Sequence, residues 1–217
     1  MTRALISLLA CLVIASCGSS GGGVAGMAIG AARGLVGANP KPADLRKTLT
    51  PEVIASLPGS VMLIELPERG AQAGVLRVTQ NGPNVTWAGQ DGSTVAFNDG
   101  ILTATRGLGS DLMSADLRDV VAAVYGNGTE AVRIHRHLDG EDQIYSRSFV
   151  CRYSAASGQR AKVLTGDFEA TLVRENCASS DIEIDNLYWI DGSGVVRKSK
   201  QWVGPDAGYM LTELLKG

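Results

Sequence analysis

From residue 60 onward, apolar and polar side chains alternate in short runs, a period-two pattern that predicts strands. The runs fall at residues 61–66, 74–80, 84–88, 94–98, 101–106, 131–138, 143–153, 161–166, 168–175, 182–190 and 195–203. Asp91-Gly92, Asp99-Gly100 and Asp139-Gly140 separate neighbouring runs as tight hairpin turns, and Asp191-Gly192-Ser193-Gly194 joins the last two. Helical spacing interrupts this rhythm in three places. Thr50 is placed as an N-cap before Pro51, with Val53, Ile54 and Leu57 on one side and Pro58-Gly59 as the stop. Leu112, Leu117, Val120, Val121 and Val124 form a stripe that predicts a helix within residues 110–125, ended by Gly126-Asn127-Gly128. Residues 209–216 have the spacing of a short closing helix. The pattern as a whole predicts a mainly β chain, an antiparallel β-sandwich or curved open barrel with a few short helices, in a single β-rich domain over residues 43–217.

Composition narrows this reading. Glycine occurs 27 times in 217 residues and aromatic residues make up only 5%, which suits a turn-rich β protein better than a helical bundle. With 20 Lys+Arg against 22 Asp+Glu the formal charge is -2 and no basic block occurs, so the phosphate-driven binding of nucleic acid has no footprint.

Residues 1–17 read as an address. Arg3 supplies a positive start, residues 4–14 form an apolar run too short to span a bilayer, and Ile14-Ala15-Ser16-Cys17 resembles the lipobox of bacterial lipoproteins. Residues 1–16 are therefore expected to leave as a signal peptide, with Cys17 acylated; more than one acyl chain gives stable membrane anchoring. Gly18 follows in place of an inner-membrane-retaining Asp, which directs the expectation to the outer membrane. Residues 17–42 then form a Gly-rich tether, whose first six residues after Cys17 reach roughly 13 Å. Within it, Gly26, Gly30 and Gly34 are spaced as in close-packed membrane helices, so residues 24–38 are either a helix against lipid or a mobile extension of the tether. Asn39-Pro40-Lys41-Pro42 ends this region.

Cys11 leaves with the signal and Cys17 carries lipid, so Cys151 and Cys177 remain for a disulfide in an oxidising compartment. Neither belongs to a C-x-x-C pair, and no zinc spacing is completed by the two histidines. His135 and His137 share one face of a predicted strand, read as an exposed polar face. Gly107-Leu108-Gly109 is read as a tight turn entering a helix. Asp181, Glu183 and Asp185 put three carboxylates on one strand face, an arrangement usually solvated. Outside the Gly-rich tether the chain has no G-x-S-x-G motif, and it has no P-loop or H-E-x-x-H motif.

Pairing the last two strands across Gly192-Ser193 sets Asp185 opposite Lys200, Asn186 opposite Ser199, Tyr188 opposite Arg197 and Ile184 opposite Gln201. That register gathers a polar strip onto one sheet face, either an internal network or a ligand-facing surface.

Asn186-Leu187-Tyr188-Trp189-Ile190-Asp191, followed by Arg197-Lys198-Ser199-Lys200-Gln201-Trp202-Val203-Gly204-Pro205, resembles the C-terminal signature of the YjbF/GfcB lipoproteins. Asp99-Gly100 and Thr103-Ala104-Thr105-Arg106-Gly107-Leu108-Gly109 with Asp111-Leu112 are similar to that family's central motif. The resemblance covers the chain from about Thr50 onward and implies a role in group 4 capsule or exopolysaccharide production beside other secretion components. It carries over no catalytic residue. The expectation is an outer-membrane-anchored lipoprotein on the periplasmic face, without cofactor or metal, that assists polysaccharide export or assembly by binding polysaccharide or a secretion partner and is not an enzyme. Arg197, Gln201, Tyr188, Trp189 and Trp202 are the candidate binding residues. The alternatives are a polysaccharide-modifying enzyme, for which the Asp181, Glu183 and Asp185 cluster offers the only local carboxylates, and a scaffold lipoprotein without sugar contact. Trp87, Trp189 and Trp202 discriminate: exposed side by side they suit carbohydrate stacking, and buried singly they are core.

Overall fold

The computed structural model describes residues 44–138, 141 and 143–217. The expected signal peptide, Cys17, the tether with residues 24–38, and the Asp139-Gly140 turn lie outside the described residues.

Twelve strands form one antiparallel sheet: β1 (Val61–Leu66), β2 (Ala71–Asn81), β3 (Asn84–Ala88), β4 (Thr94–Asn98), β5 (Ile101–Arg106), β6 (Leu112–Asp116), β7 (Glu130–Leu138), β8 (Ile144–Val163), β9 (Gly166–Ala178), β10 (Glu183–Asp191), β11 (Val196–Gly204) and β12 (Gly208–Lys216). Their order is β5-β4-β3-β2-β1-β12-β11-β10-β9-β8-β7-β6, so hydrogen-bonded neighbours are consecutive in sequence except β1 and β12, and β5 and β6 stand at the two ends. The sheet curls into a nearly closed barrel whose gap lies between β5 and β6. Among the described residues three short α-helices accompany it: α1 (Leu45–Thr48), α2 (Pro51–Ser56) and α3 (Arg118–Val124). The expected α2 forms as its signals direct: Thr50 Oγ1 accepts from the Val53 N–H and Pro51 opens the helix.

The alternation read from the sequence sets the layers. Met62, Ile64 and Leu66 of β1 face inward with Val75, Trp87, Val95, Phe97 and Met210, whereas Val61 and Leu63 face outward under Leu49, Ile54 and Leu57 of the α1–α2 region. The long β8–β9 hairpin bends at a register shift near Ala156 and Gln159, and its tip covers the outside of the sheet. There Glu213, buried on the outer face of β12, accepts from the Leu164 N–H, Arg46 and Lys198, tying the hairpin tip and α1 to the wall. α3 packs Val120, Ala123 and Val124 against Ile101, Tyr188 and Ile190 beside the gap.

Two predicted helices are corrected. Within residues 110–125 the helix occupies only Arg118–Val124, because Leu112–Asp116 pairs with β7 and buries Leu112 completely. Gly107-Leu108-Gly109 accordingly turns into a strand. Residues 209–216 form β12, clamped between β1 and β11. Its Met210 and Thr212 are buried inside and its Glu213 and Leu215 outside, so a strand covered on both faces carries a near-continuous apolar run that mimics helical spacing.

Asp99-Gly100 forms its predicted turn, with φ of 47° at Asp99 and 80° at Gly100. A Cβ on Gly100 would stand 2.6 Å from Val196 Cγ2, so glycine also permits the β4–β5 turn to press against β11.

Candidate functional site

Glu175 is fully buried inside the barrel. Residues i and i+2 of a strand share a face, so Arg133 on β7, Tyr153 on β8, Glu175 on β9 and Asn186 and Tyr188 on β10 all project inward. Glu175 Oε1 accepts from the Tyr153 hydroxyl at 2.8 Å and faces Arg133 Nε at 3.2 Å. Its Oε2 accepts from the Tyr188 hydroxyl at 2.6 Å and Asn186 Nδ2 at 2.8 Å. Arg133 Nη2 donates in turn to the Tyr188 oxygen, and Asn186 Oδ1 accepts from the Trp202 backbone N–H. Burial pushes the Tyr188 hydroxyl well above its usual range, and that of Tyr153 upward as well. Arg133, Glu175, Asn186 and Tyr188 have no solvent exposure, and the carboxylate accepts three hydrogen bonds and forms an ion pair with Arg133, whose Nε makes no hydrogen bond among the described residues. Such an arrangement holds a buried charge pair in one geometry and offers no free proton acceptor to an external substrate.

The predicted disulfide is present: Cys151 and Cys177 face each other across β8 and β9 and are bonded. Their sulfurs and the Glu175 carboxylate lie within 4.8 Å of one another, but both sulfurs are spent in the disulfide and supply no thiolate to a metal.

His135 and His137 correct the expectation of an exposed polar face: both are buried inside the barrel, at 0% and 1% exposure. Pairing of β7 with β8 turns the face carrying Ala131, Arg133 and both histidines inward. The His135 ring stacks on Trp202 at 5.6 Å between centroids and meets Phe149 edge-on, and the His137 ring stacks on Tyr145. His135 Nε2 is 3.5 Å from Arg133 Nη1, while His135 Nδ1 has no hydrogen-bond partner among the described residues. Desolvation, then the Arg133 charge, holds the imidazole of His135 well below its usual pKa, and desolvation lowers that of His137.

The register of β10 and β11 differs from expectation by two residues. Tyr188 faces Ser199, Leu187 faces Lys200, and a bulge follows near Trp189 and Ile190. The cause is the loop. Asp191 Oδ1 accepts from the Ser193 N–H, Ser193 hydroxyl and Val195 N–H, making a longer connection than the two-residue turn. Burial of this carboxyl raises its pKa, but these bonds and Arg197 outweigh that and hold it at about 2. Asn186, Tyr188, Ser199 and Gln201 still share the inner face, since a two-residue shift preserves side-chain direction.

Of the five candidate binding residues, Tyr188, Gln201 and Trp202 are sealed inside the barrel. Arg197 leaves the strip at the bulge, bonds Asp191 Oδ2 at 2.5 Å and lies over Phe168. Trp189 is half-buried on the outer face, beneath Lys198. Trp87 and Trp202 are both buried, in separate parts of the core, so the three tryptophans make no exposed stack. Glu183 and Asp185 are exposed on β10, and Asp181 precedes the strand and pairs with Arg147.

The barrel gap has its own chemistry. Arg106 Nη1 donates to the Leu112 carbonyl and Nη2 to that of Met113, and the Leu112 N–H donates to Thr105 Oγ1, so side chains bridge β5 to β6 where no ladder does. The Asp111 carboxylate gathers the loop by accepting from Thr105 Oγ1 and the Gly107 and Leu108 N–H groups. Further along the gap, an open groove of about 580 Å³ carries Asn84, Asn98, Thr103, Asp116, Arg118 and Arg136. A second opening, of about 310 Å³, lies at the barrel end formed by the β2–β3, β4–β5 and β10–β11 turns.

Sequence reasoning passed over Arg133, Glu175 and Tyr153. Their signal was positional: each stands two residues from an inward apolar residue, Ala131, Cys177 and Cys151 respectively.

No curated protein matches the chain. Among solved structures, the hypothetical lipoprotein YmcC from Escherichia coli shares the fold, with a TM-score of 0.65 at 21% identity over 76% of this chain and 88% of its own. A putative exported protein with a YmcC-like fold from Bacteroides fragilis aligns with a TM-score of 0.31 at 10% identity, over 72% of this chain and 93% of its own. The family described as group 4 capsule polysaccharide lipoprotein gfcB, YjbF matches residues 41–215, from the approach to α1 through nearly all of β12, and the chain belongs to that family.

Proposed function

We propose that the protein is held at the outer membrane by lipid on Cys17, faces the periplasm, and assists capsule or exopolysaccharide export or assembly by binding polymer or an export component. The observation that carries this reading is the family match over residues 41–215, to a group 4 capsule lipoprotein family. The groove along the barrel gap supports contact with polymer. Asn98 Nδ2 donates to Asn84 Oδ1 and Arg118 pairs with Asp116, so the Thr103 hydroxyl and the Arg136 guanidinium, with the remaining amide and carboxylate lone pairs, are what the groove offers to sugar hydroxyls.

The test is export in cells lacking the native gene and supplied with variants. Asn98→Ala with Arg136→Ala is expected to reduce surface polymer while protein abundance and melting temperature stay normal. Cys17→Ala is expected to release the protein from the outer-membrane fraction. Full export by the groove variant, together with no co-purification of polymer or export proteins with the native protein, would refute the reading.

A further inference from the structure

We propose that the cavity at the barrel end takes the aliphatic chain of a membrane amphiphile. Its floor is the apolar interior itself: Met62, Val85, Trp87, Phe97 and Leu214 line it from β1, β3, β4 and β12. Val195, 37% exposed, stands at its rim, and Val78, 56% exposed, follows the lining residue Arg77 in the β2 bulge. The floor is thus apolar, and the rim mixes Val195 with the polar groups of Arg77, Gln80, Asp99 and Tyr125.

Several polar groups around it are already committed to one another. Arg77 Nη1 donates to Gln80 Oε1 at 2.9 Å, and Gln80 Nε2 donates to the Gly82 carbonyl. The Tyr125 hydroxyl lies between the carbonyls of Asp99 and Gly194, at 2.9 and 3.1 Å, and pins the two turns that frame the mouth. Burial first, with the charges of Asp99 and Asp191, pushes this hydroxyl up to about 12. A sugar needs many free donors and acceptors, whereas an aliphatic chain needs dispersion contact and exclusion of water. This mouth provides the latter.

The occupant follows from shape and setting. At the density of a protein interior, about 310 Å³ accommodates a chain of roughly ten methylenes. Membership of a lipoprotein family keeps the domain beside lipid, where such chains are abundant. Arg77 and Asp99 also line the opening, and the polar head of the amphiphile is placed beside them in this proposal.

The experiment uses the full mature chain carrying Cys17→Ser, so that no acyl group of its own competes, with N-phenyl-1-naphthylamine as fluorescent probe and n-alkanols of six to sixteen carbons as competitors. Saturable one-to-one probe binding is expected. Displacement should tighten about fourfold per added carbon and level off near ten carbons. Val195→Trp and Leu214→Trp, each filling the cavity, should weaken probe binding at least tenfold. Val195→Trp alters an exposed rim position, so it keeps the test open if Leu214→Trp fails to fold. Non-saturable binding, a dependence on chain length that continues unchanged to sixteen carbons, or unaltered binding in folded Val195→Trp protein would overturn the assignment.

Discussion

Gln201 binds the free edge of β5 at Leu102: its side-chain Oε1 accepts from the Leu102 backbone N–H at 2.7 Å, inside the barrel. Its Nε2 donates to the Gly100 carbonyl and to Ser199 Oγ, which in turn shares a hydrogen bond with Thr212 Oγ1. One amide thus does for the edge strand what a neighbouring strand does elsewhere, and it joins the Asp99-Gly100 turn to the C-terminal hairpin.

Gln201→Leu should therefore leave the buried Leu102 N–H and Gly100 carbonyl without these partners and cost about 2 to 4 kcal/mol. Chemical denaturation measures it. A loss below about 0.5 kcal/mol would mean that water or β6 replaces the amide.

The Arg133 and Glu175 pair predicts strong coupling. Glu175→Gln or Arg133→Met alone strands a buried charge and should cost about 3 to 5 kcal/mol. The double variant should cost less than the sum of the two single losses, because it removes both charges; the new amide keeps one acceptor oxygen, and the tyrosine hydroxyl facing its NH2 turns to accept. A double-mutant cycle with additive losses would contradict this picture.

The buried imidazoles predict acid sensitivity. The pKa of His135 is depressed in the folded state, so the folded protein keeps it neutral while the unfolded chain takes up a proton near its ordinary value of about 6.5. Stability is then full above about pH 6.5 and falls as pH drops, by up to about 1.4 kcal/mol per pH unit until the folded-state pKa is reached. The groups around the ring are Arg133, His137, Phe149 and Trp202, none of which supplies a carboxylate. His135→Phe should flatten the dependence of unfolding free energy between pH 7 and pH 5, and an unchanged slope would remove His135 as its source.

The Cys151–Cys177 disulfide spans a sequence separation of 26, so Cys151→Ala with Cys177→Ala should lose about 3 kcal/mol on the chain-entropy account. Thiol alkylation of the unreduced, denatured protein should label neither cysteine. Full labelling at both positions would disprove the bridge.

The β class and most strand positions were legible in the chain because alternation and turn chemistry act locally. Val61–Leu66, Asn84–Ala88, Thr94–Asn98 and Ile101–Arg106 match their predicted spans, and Asp99-Gly100 adopts its turn from short-range backbone preferences alone. The disulfide followed from counting cysteines. The helix expected at residues 209–216 became β12 because partners distant in sequence, β1 and β11, cover both its faces. Only curling of the sheet could determine that the face carrying Arg133, His135 and His137 points inward, since alternation defines two faces without saying which meets the core. Gln201 likewise acquires its role across the barrel, where closure brings β11 to the edge of β5; a polar side chain's burial is settled by the partners that the fold delivers to it.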